Sequence, residues 1–206
     1  GLGLVVLFLG LVRALRRKLD ELRRELREQA VIDPLTGLHN RRWLMERLAE
    51  EFAKSRRMGQ SLSLAIGDLD WFKSVNDQLG HPAGDAALKA LASILREGIR
   101  PYDLSARFGG EEFIVVLPGT GLDGAMTLCE RLRASVEESL SSRAGFTDRR
   151  VTISFGVAVR FDSDELPDAL LARADAALYR AKSAGRNRVE PATEPVPAPS
   201  PEPDRE

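Results

Sequence analysis

The stretch Arg107–Phe113 (RFGGEEF) decides the centre of the fold. It divides the segment Leu104–Leu117 into two short apolar runs, and a glycine pair between such runs predicts a tight β-hairpin. Two glycines also let a backbone approach a bulky anion, while Glu111 and Glu112 place carboxylates beside the turn. The alternative is an ordinary soluble hairpin, so this stretch alone leaves a phosphate or metal site open.

Strand and helix patterns alternate on both sides of this hairpin. Ser61–Asp68 and Val151–Val159 are predicted strands. The predicted helices are Arg41–Arg57, Ala83–Ile99, Leu122–Leu140 and Pro167–Ala184, the last of them stopped by Gly185. This order favours an α+β fold with a central, mostly antiparallel sheet, flanked by helices on one face in a palm-like layer, and not a doubly wound sheet.

A second polar run, Asp68–Asp77 (DLDWFKSVND), follows the Ser61 strand. Asp68 and Asp70 point to the same face if the strand continues that far. An acidic residue at a strand end is a natural ligand for a hard cation, and Lys73 with the first amides of the next helix can hold phosphate oxygens. The alternative is that Asp70 caps this helix and Lys73 is a solvated surface charge.

The run Ala174–Val189 (ADAALYRAKSAGRNRV) carries a third group of charges. Lys182 and Arg186 are four residues apart, so they share a face if the helix continues that far, and they can bracket a triphosphate. The alternative is a solvated basic helix end that the helix dipole favours.

The composition narrows the class of function. The 30 basic and 31 acidic residues nearly cancel, which argues against binding a nucleic-acid polymer. The single cysteine, Cys129, forms no intramolecular disulfide and suits a small core position. His39 and His81 lack metal-ligand spacing, and we expect both to be structural.

The first 12 residues (GLGLVVLFLGLV) are apolar and precede a basic cluster of Arg13, Arg16, Arg17 and Lys18. They are too few to cross ~30 Å of hydrocarbon. We therefore expect the end of a truncated transmembrane helix, with an anchor in the inner (cytoplasmic) membrane and everything downstream in the cytoplasm. A signal-peptide core and a buried helix are the alternatives.

Two further segments flank the main body of the chain. In residues 13–32, the heptad spacing of Leu15, Leu19, Leu22 and Leu26 favours a parallel coiled-coil signalling helix over a single solvated helix. Residues 190–206 are proline-rich and predicted to be disordered, with a docking peptide as the alternative.

Five segments carry a resemblance to a known family. They are DPLTGLHNRR (33–42), DLDWFKSVNDQLGHPAGD (68–85), RFGGEEF (107–113), TISFGVA (152–158) and ADAALYRAKSAGRNR (174–188). In this order they closely resemble the GGDEF-domain diguanylate cyclases over Asp33–Val189, with a nucleotide-cyclase-like sheet. The resemblance implies an enzyme that joins two GTP into cyclic di-GMP and releases two pyrophosphates. The signature GGEEF is of the active type, because its middle residue is Asp or Glu in that family.

The resemblance also implies roles for single residues. Asp68, Glu111, Glu112 and the carbonyl of Leu69 match positions that hold Mg²⁺ (or Mn²⁺), in a two-metal mechanism, and Glu111 is the candidate for activating the 3′-hydroxyl. The positions expected to bind the GTP phosphates are Gly110, the amides of Trp71 and Phe72, and the side chains of Lys73, Lys182 and Arg186. Asn76 and Asp85 match the guanine-binding positions, and a buried Asp85 would discriminate against ATP.

Two features of the expected enzyme reach beyond one active site. Two equivalent linkages in the product imply that two GTP sites face each other in a homodimer. Arg100 and Asp103 resemble the family's inhibitory site for cyclic di-GMP, with Arg131 as a secondary contact; the alternative is a surface ion pair. Arginine can bind guanine O6 and N7 bidentately.

Three other functions compete with the enzyme. The first is a catalytically silent GGDEF module that binds GTP or cyclic di-GMP, which predicts loss of Asp68, Glu111 or Glu112. The second is a class III-type cyclase acting in one site, and the third is a structural membrane adaptor. All three acidic residues are present, which favours the enzyme.

Overall fold

The computed structural model describes residues 13, 15–18, 31–146 and 150–192. The strands are β1 (His39–Asn40), β2 (Leu62–Leu69), β3 (Leu104–Gly109), β4 (Glu112–Pro118), β5 (Ile153–Val159) and β6 (Val189–Pro191). The helices of the main body are α1 (Arg41–Met58), α2 (Phe72–Leu79), α3 (His81–Gly98), α4 (Leu122–Arg143) and α5 (Pro167–Ser183). The predicted strands and helices are therefore present, with ends that differ by a few residues.

The strands form one sheet in the order β1-β3-β4-β2-β5-β6. The three central pairs, β3 with β4, β4 with β2 and β2 with β5, are antiparallel, whereas the short outer strands pair in parallel. This confirms the mostly antiparallel sheet. The β3–β4 hairpin turns at the glycine pair, where Gly110 has a φ of 50° and the ladder shifts register between Arg107 and Gly109.

Apolar cores lie on both faces of the sheet. Phe113, Val115 and Leu117 of β4 pack on the side of α2, α3 and α4, whereas Ile114 and Val116 pack on the side of α1 and α5. The prediction that helices cover one face is thus wrong. A strand segment that is apolar at every position must be covered on both faces, and residues 113–117 of β4 form such a segment.

Helix α5 lies unusually close to β5. A Cβ atom at Gly156 would overlap the backbone of Ala174, Ala177 and Leu178, so only glycine fits at this point of the strand. The close approach fixes the position of α5, whose last turn carries Lys182, against the centre of the sheet. The fold thereby brings the third charged group towards the end of β2.

Several expectations concern residues outside the described ranges. Among these are residues 1–12, Leu19, Leu22, Leu26 and residues 193–206, so the membrane anchor, the coiled coil and the disorder of residues 193–206 stay predictions. The prediction that disorder begins at residue 190 is wrong, because Glu190 and Pro191 belong to β6 and pair with β5. Residues 13 and 15–18 are helical. Among the described residues, no helix combines the length and the apolar character that crossing a membrane requires.

Candidate active site at the ends of β2 and β4

Three carboxylates meet at one edge of the sheet. Asp68, near the end of β2, lies opposite Glu112 of β4 in the antiparallel ladder. The amide of Leu69 donates a 3.5 Å hydrogen bond to the carbonyl of Glu111, so the turn residue lies beside the same strand end. The fold therefore places Asp68 beside Glu111 and Glu112, and their joint binding of a metal stays a prediction.

Asp68 is buried in this acidic setting, with 6% of its surface exposed. Burial, with the neighbouring charges of Glu111 and Glu112, raises its pKa to about 6, although Lys182 acts in the opposite direction. The Lys182 ammonium lies 2.7 Å from Asp68 Oδ2. The edge thus holds more negative charge than one lysine neutralises, which is a setting that attracts a further cation.

The donor set suits a hard divalent cation. Carboxylate and carbonyl oxygens are the ligands that Mg²⁺ and Mn²⁺ prefer, and Asp68, Glu111, Glu112 and the Leu69 carbonyl supply only oxygens. Within residues 31–146 and 150–192, no three acidic, histidine or cysteine side chains are already arranged as a metal cluster. The residues therefore fit such a cation by chemistry and charge, and their side chains must rearrange to bind it together.

Helix α2 begins directly after the acidic strand end. Its N-cap, Trp71, has a left-handed φ of 58° and makes no side-chain capping bond. The amides of Phe72 and Lys73 lie in the first turn, where helical amides lack intrahelical partners and attract anions. The Lys73 side chain is exposed. These groups are placed as expected for contacts to phosphate.

Asp70 has a role that the sequence did not reveal. It is 3% exposed and accepts hydrogen bonds from Thr152 Oγ1 at 2.7 Å, from Ser154 Oγ at 2.7 Å and from the amide of Asn187 at 3.0 Å. The alternative that Asp70 caps α2 is wrong, because the carboxylate is used to join β5 to the loop after α5. All three partners are distant from Asp70 in sequence, so local patterns gave no signal.

Arg186 reaches the site by a different route from the one predicted. Helix α5 ends at Ser183, so Lys182 and Arg186 do not share a helix face. Arg186 instead takes a left-handed φ of 64°, and its guanidinium lies 3.8 Å from the centre of the Trp71 ring. The two basic side chains still approach the same strand end, Lys182 through Asp68 and Arg186 through Trp71.

The two candidate guanine-binding residues lie around one glycine. A Cβ atom at Gly84 would overlap the side-chain oxygen of Asn76, so Asn76 packs directly on the start of α3 beside Asp85. Asp85 itself is exposed. The protein's own residues thus leave Asp85 accessible, and its burial against a bound base stays a prediction.

Arg107 and Asp33 hold the GGEEF turn in place, and we call this pair the brace. Arg107 donates to the carbonyl of Gly110 through Nε at 2.9 Å and through Nη2 at 2.8 Å, and its Nη1 lies 3.3 Å from Asp33 Oδ2. Asp33 in turn accepts a bond from the Thr36 hydroxyl. A Cβ at Gly109 or Gly110 would meet nothing within 4 Å, so the other side of the turn is open. Sequence reasoning missed this brace, although Asp33 and Arg107 both belong to quoted motifs.

The candidate inhibitory residues also lie together. Asp103 Oδ2 accepts a 2.9 Å hydrogen bond from the backbone amide of Arg100. The Arg100 side chain instead donates to the Tyr102 hydroxyl, so the alternative of a surface ion pair between Arg100 and Asp103 is wrong. Burial raises the pKa of Asp103, and within the described residues its Oδ1 is buried without a hydrogen-bond partner. Arg131 donates a 2.6 Å bond to the Gly98 carbonyl, close to Arg100 in the chain. A cavity of about 510 Å³ adjoins Arg100 and Asp103.

Comparison with known proteins identifies the family of this chain. Residues 30–188 match the family model described as diguanylate cyclase, GGDEF domain. The chain belongs to the GGDEF-domain family. This GGDEF domain is 48% identical over 164 residues to diguanylate cyclase DgcP of Pseudomonas aeruginosa, covering 80% of this chain and 24% of that protein. It is 42% identical over 178 residues to the response regulator PleD of Caulobacter vibrioides, covering 84% of this chain and 39% of PleD.

A solved structure gives the same result for the fold. The crystal structure of the GGDEF domain of DgcB from Caulobacter crescentus, in complex with c-di-GMP, superposes with a TM-score of 0.75 at 36% identity. The match covers 80% of this chain and 96% of that one, which confirms the fold class. The curated relatives extend well beyond the matched region, since this chain spans 24% of DgcP and 39% of PleD.

Proposed function

We propose that this GGDEF domain is a diguanylate cyclase that condenses two GTP into cyclic di-GMP with release of two pyrophosphates. The observation that carries the proposal is the meeting of Asp68, Glu111 and Glu112 at one sheet edge, with basic groups beside them. The intact carboxylates favour turnover over a silent binding module.

The acidic edge is the proposed metal site. Asp68, Glu111, Glu112 and the Leu69 carbonyl would hold Mg²⁺ or Mn²⁺ for a two-metal mechanism. When bound, such ions neutralise the triphosphate and make an attacking hydroxyl more acidic. The raised pKa of Asp68 also means that protons compete with the metal below about pH 6.

The surrounding residues bind and orient the triphosphate. The amides of Trp71 and Phe72, with the turn at Gly110, supply backbone contacts, as expected for an anion beside a helix N-terminus. The cationic groups are Lys73, Lys182 and Arg186. Lys182, whose ammonium lies 2.7 Å from Asp68 Oδ2, would hold a phosphate oxygen in place of this carboxylate when GTP binds. Glu111 accepts the proton of the 3′-hydroxyl.

Asn76 and Asp85 account for a preference for GTP. The N1 and N2 groups of guanine are donors that match a carboxylate, and adenine lacks both. The base covers Asp85 when it binds, so the exposed carboxylate becomes the buried partner that rejects ATP.

The product requires two active sites that face one another. A homodimer with two-fold symmetry satisfies this, because each subunit brings one GTP. The leucine seam of residues 13–32 forms the coiled coil that pairs the domains, and residues 1–12 belong to an anchor in the cytoplasmic membrane, with the catalytic domain in the cytoplasm. Shortened chains lacking residues 1–32, compared with the full chain for activity and dimerisation at low concentration, test this part. Equal activity and equal dimerisation would contradict it.

Cyclic di-GMP inhibits the enzyme at Arg100, Asp103 and Arg131. The structural support is the buried Asp103 carboxylate, whose Oδ1 faces no partner among the described residues and can accept guanine donors, beside a cavity of about 510 Å³. Arg100 is exposed and can bind the O6 and N7 edge of the base.

The decisive experiment identifies the product. The purified protein is incubated with GTP and either Mg²⁺ or Mn²⁺, and the nucleotides are separated and identified by mass. We expect cyclic di-GMP and pyrophosphate, no product from ATP, and no product with EDTA or with Glu111→Gln. The variant Asp175→Asn, with an exposed carboxylate on α5, serves as the matched control that keeps activity. GTP binding without turnover would instead establish the silent module.

A further inference from the structure

Three residues with strained backbone meet at one point of the site. Among the described residues, positive φ outside glycine occurs at Trp71 (58°), Arg186 (64°) and Asn187 (47°). A left-handed residue other than glycine costs about 1–3 kcal/mol and persists only where the surroundings impose it. Trp71 and Arg186 touch through the ring, and Asn187 is the next residue in the chain. The strained backbone positions thus lie at both partners of the contact between Arg186 and Trp71, and at the residue that follows Arg186.

Asn187 is held from two sides. Its amide donates to Asp70 Oδ2 at 3.0 Å. Its side-chain oxygen accepts from Arg133 Nη1 at 2.8 Å, and its Nδ2 donates to Glu137 Oε1 at 2.8 Å. Asparagine tolerates the left-handed region better than most residues and has both a donor and an acceptor, so its chemistry fits this place.

The partners of Asn187 are themselves fixed to different elements. Asp70 is bound to Thr152 and Ser154 at the start of β5. On α4, Glu137 pairs with Arg133 at 2.7 Å, and this bond lowers the pKa of Glu137, so the group stays charged. Asn187 therefore connects the sheet to α4 immediately beside Arg186.

We infer that Asn187 is a positioning residue that holds Arg186 ready for the triphosphate. Asn187 is bonded to Asp70 on one side and to α4 on the other, which restricts the backbone that carries Arg186, and the Arg186 guanidinium packs on the Trp71 ring. A pre-positioned arginine loses less conformational freedom when it binds phosphate. The consequence for GTP rests on the proposed function, whereas the consequence for the Arg186–Trp71 contact does not.

The test removes the side chain of Asn187 and keeps its backbone. Asn187→Gly adopts positive φ freely and retains the amide bond to Asp70, but it loses both bonds to α4. We expect the KM for GTP to rise about tenfold with a much smaller change in kcat, because a ground-state contact is loosened. The Tm should change little. If turnover is absent, the Kd for GTP replaces KM, so failure of the proposed activity is distinguishable from failure of this inference.

A spectroscopic measurement reports the contact without any nucleotide. The chain has two tryptophans, so Trp43→Phe leaves Trp71 as the only one. In that background, Arg186→Ala defines the emission and acrylamide quenching of an uncovered ring. We expect Asn187→Gly to move both signals most of the way to this limit. Signals that stay at the parent value, with an unchanged KM, would overturn the inference.

A second variant reaches the same link from α4. Glu137→Ala removes the partner of Asn187 Nδ2, and we expect it to raise KM as Asn187→Gly does, with the double variant no worse than either single one. Arg143→Ala, on the same helix as Glu137, is the matched control, because it removes an exposed ion pair with Glu97 of α3. If the double variant shows the product of both single effects, Asn187 does not act through α4 and the inference fails.

Discussion

Replacing the buried carboxylate at the centre of the site, Asp68→Asn, should abolish product formation and at the same time stabilise the fold. The pKa of Asp68 is about 6, compared with 3.8 for an ordinary aspartate. The folded protein therefore binds this proton more tightly than the unfolded chain does. Its free energy of unfolding decreases as pH rises from about 4 to about 6, and it stays lower above that range.

The magnitude follows from this difference. A difference of about two in pKa corresponds to about 3 kcal/mol, and partial screening by solvent at the sheet edge reduces the expected gain to about 1–3 kcal/mol at neutral pH. Asparagine keeps the shape of the side chain without the charge. Lys182 loses its partner, but its side chain is 32% exposed and can be solvated.

The assay is urea unfolding in metal-free buffer with EDTA, at several values between about pH 4.5 and 7.5. We expect the difference between Asp68→Asn and the parent protein to be small at the acid end and to grow to a plateau above about pH 6. Asp175→Asn, an exposed aspartate on α5, should show no such growth. A variant less stable than the parent at neutral pH, or a difference independent of pH, would refute the reasoning.

Three further predictions concern other parts of the domain. Gly156→Ala forces a methyl group into the backbone of α5, so we expect unfolding by urea to show a loss of about 1–3 kcal/mol, and an unchanged midpoint would contradict the close packing. Arg100→Ala should remove the slowing of progress curves as cyclic di-GMP accumulates; unchanged inhibition by added product would place the inhibitory site elsewhere. Asp85→Asn should lower kcat/KM for GTP by about 10- to 100-fold, because an amide presents a donor to guanine N1–H, and equal kinetics would exclude Asp85 from base recognition.

The parts of the fold that depend on local pattern were predictable. The glycine pair gave the hairpin, and apolar periodicity gave α1, α3, α4 and α5 to within a few residues. We did not predict that helices cover both faces of the sheet, although the unbroken apolar run from Phe113 to Leu117 indicated it.

The site residues likewise fall into two groups: those that local patterns predict and those whose position depends on contacts distant in sequence. Asp68 and Glu112 could be placed together because strand ends follow from the strand pattern, and the motif order supplied the rest. The position of Asp70 could not be predicted, because its partners are distant in sequence and meet it only in the assembled sheet. These partners are Thr152, Ser154 and Asn187. A glycine followed two residues later by asparagine after α5 was a usable sign of left-handed backbone.

The brace behind the signature turn has a consequence for how such a domain can be joined to others. Asp33, the first residue of the compact body, forms an ion pair with Arg107, and Arg107 donates hydrogen bonds to the carbonyl of Gly110. A deletion or fusion boundary placed one residue later removes Asp33, so the turn at Gly110 loses a stabilising contact that is distant in sequence. Recombination that replaces the residues before Asp33 must therefore carry Asp33 itself along with the rest of the domain.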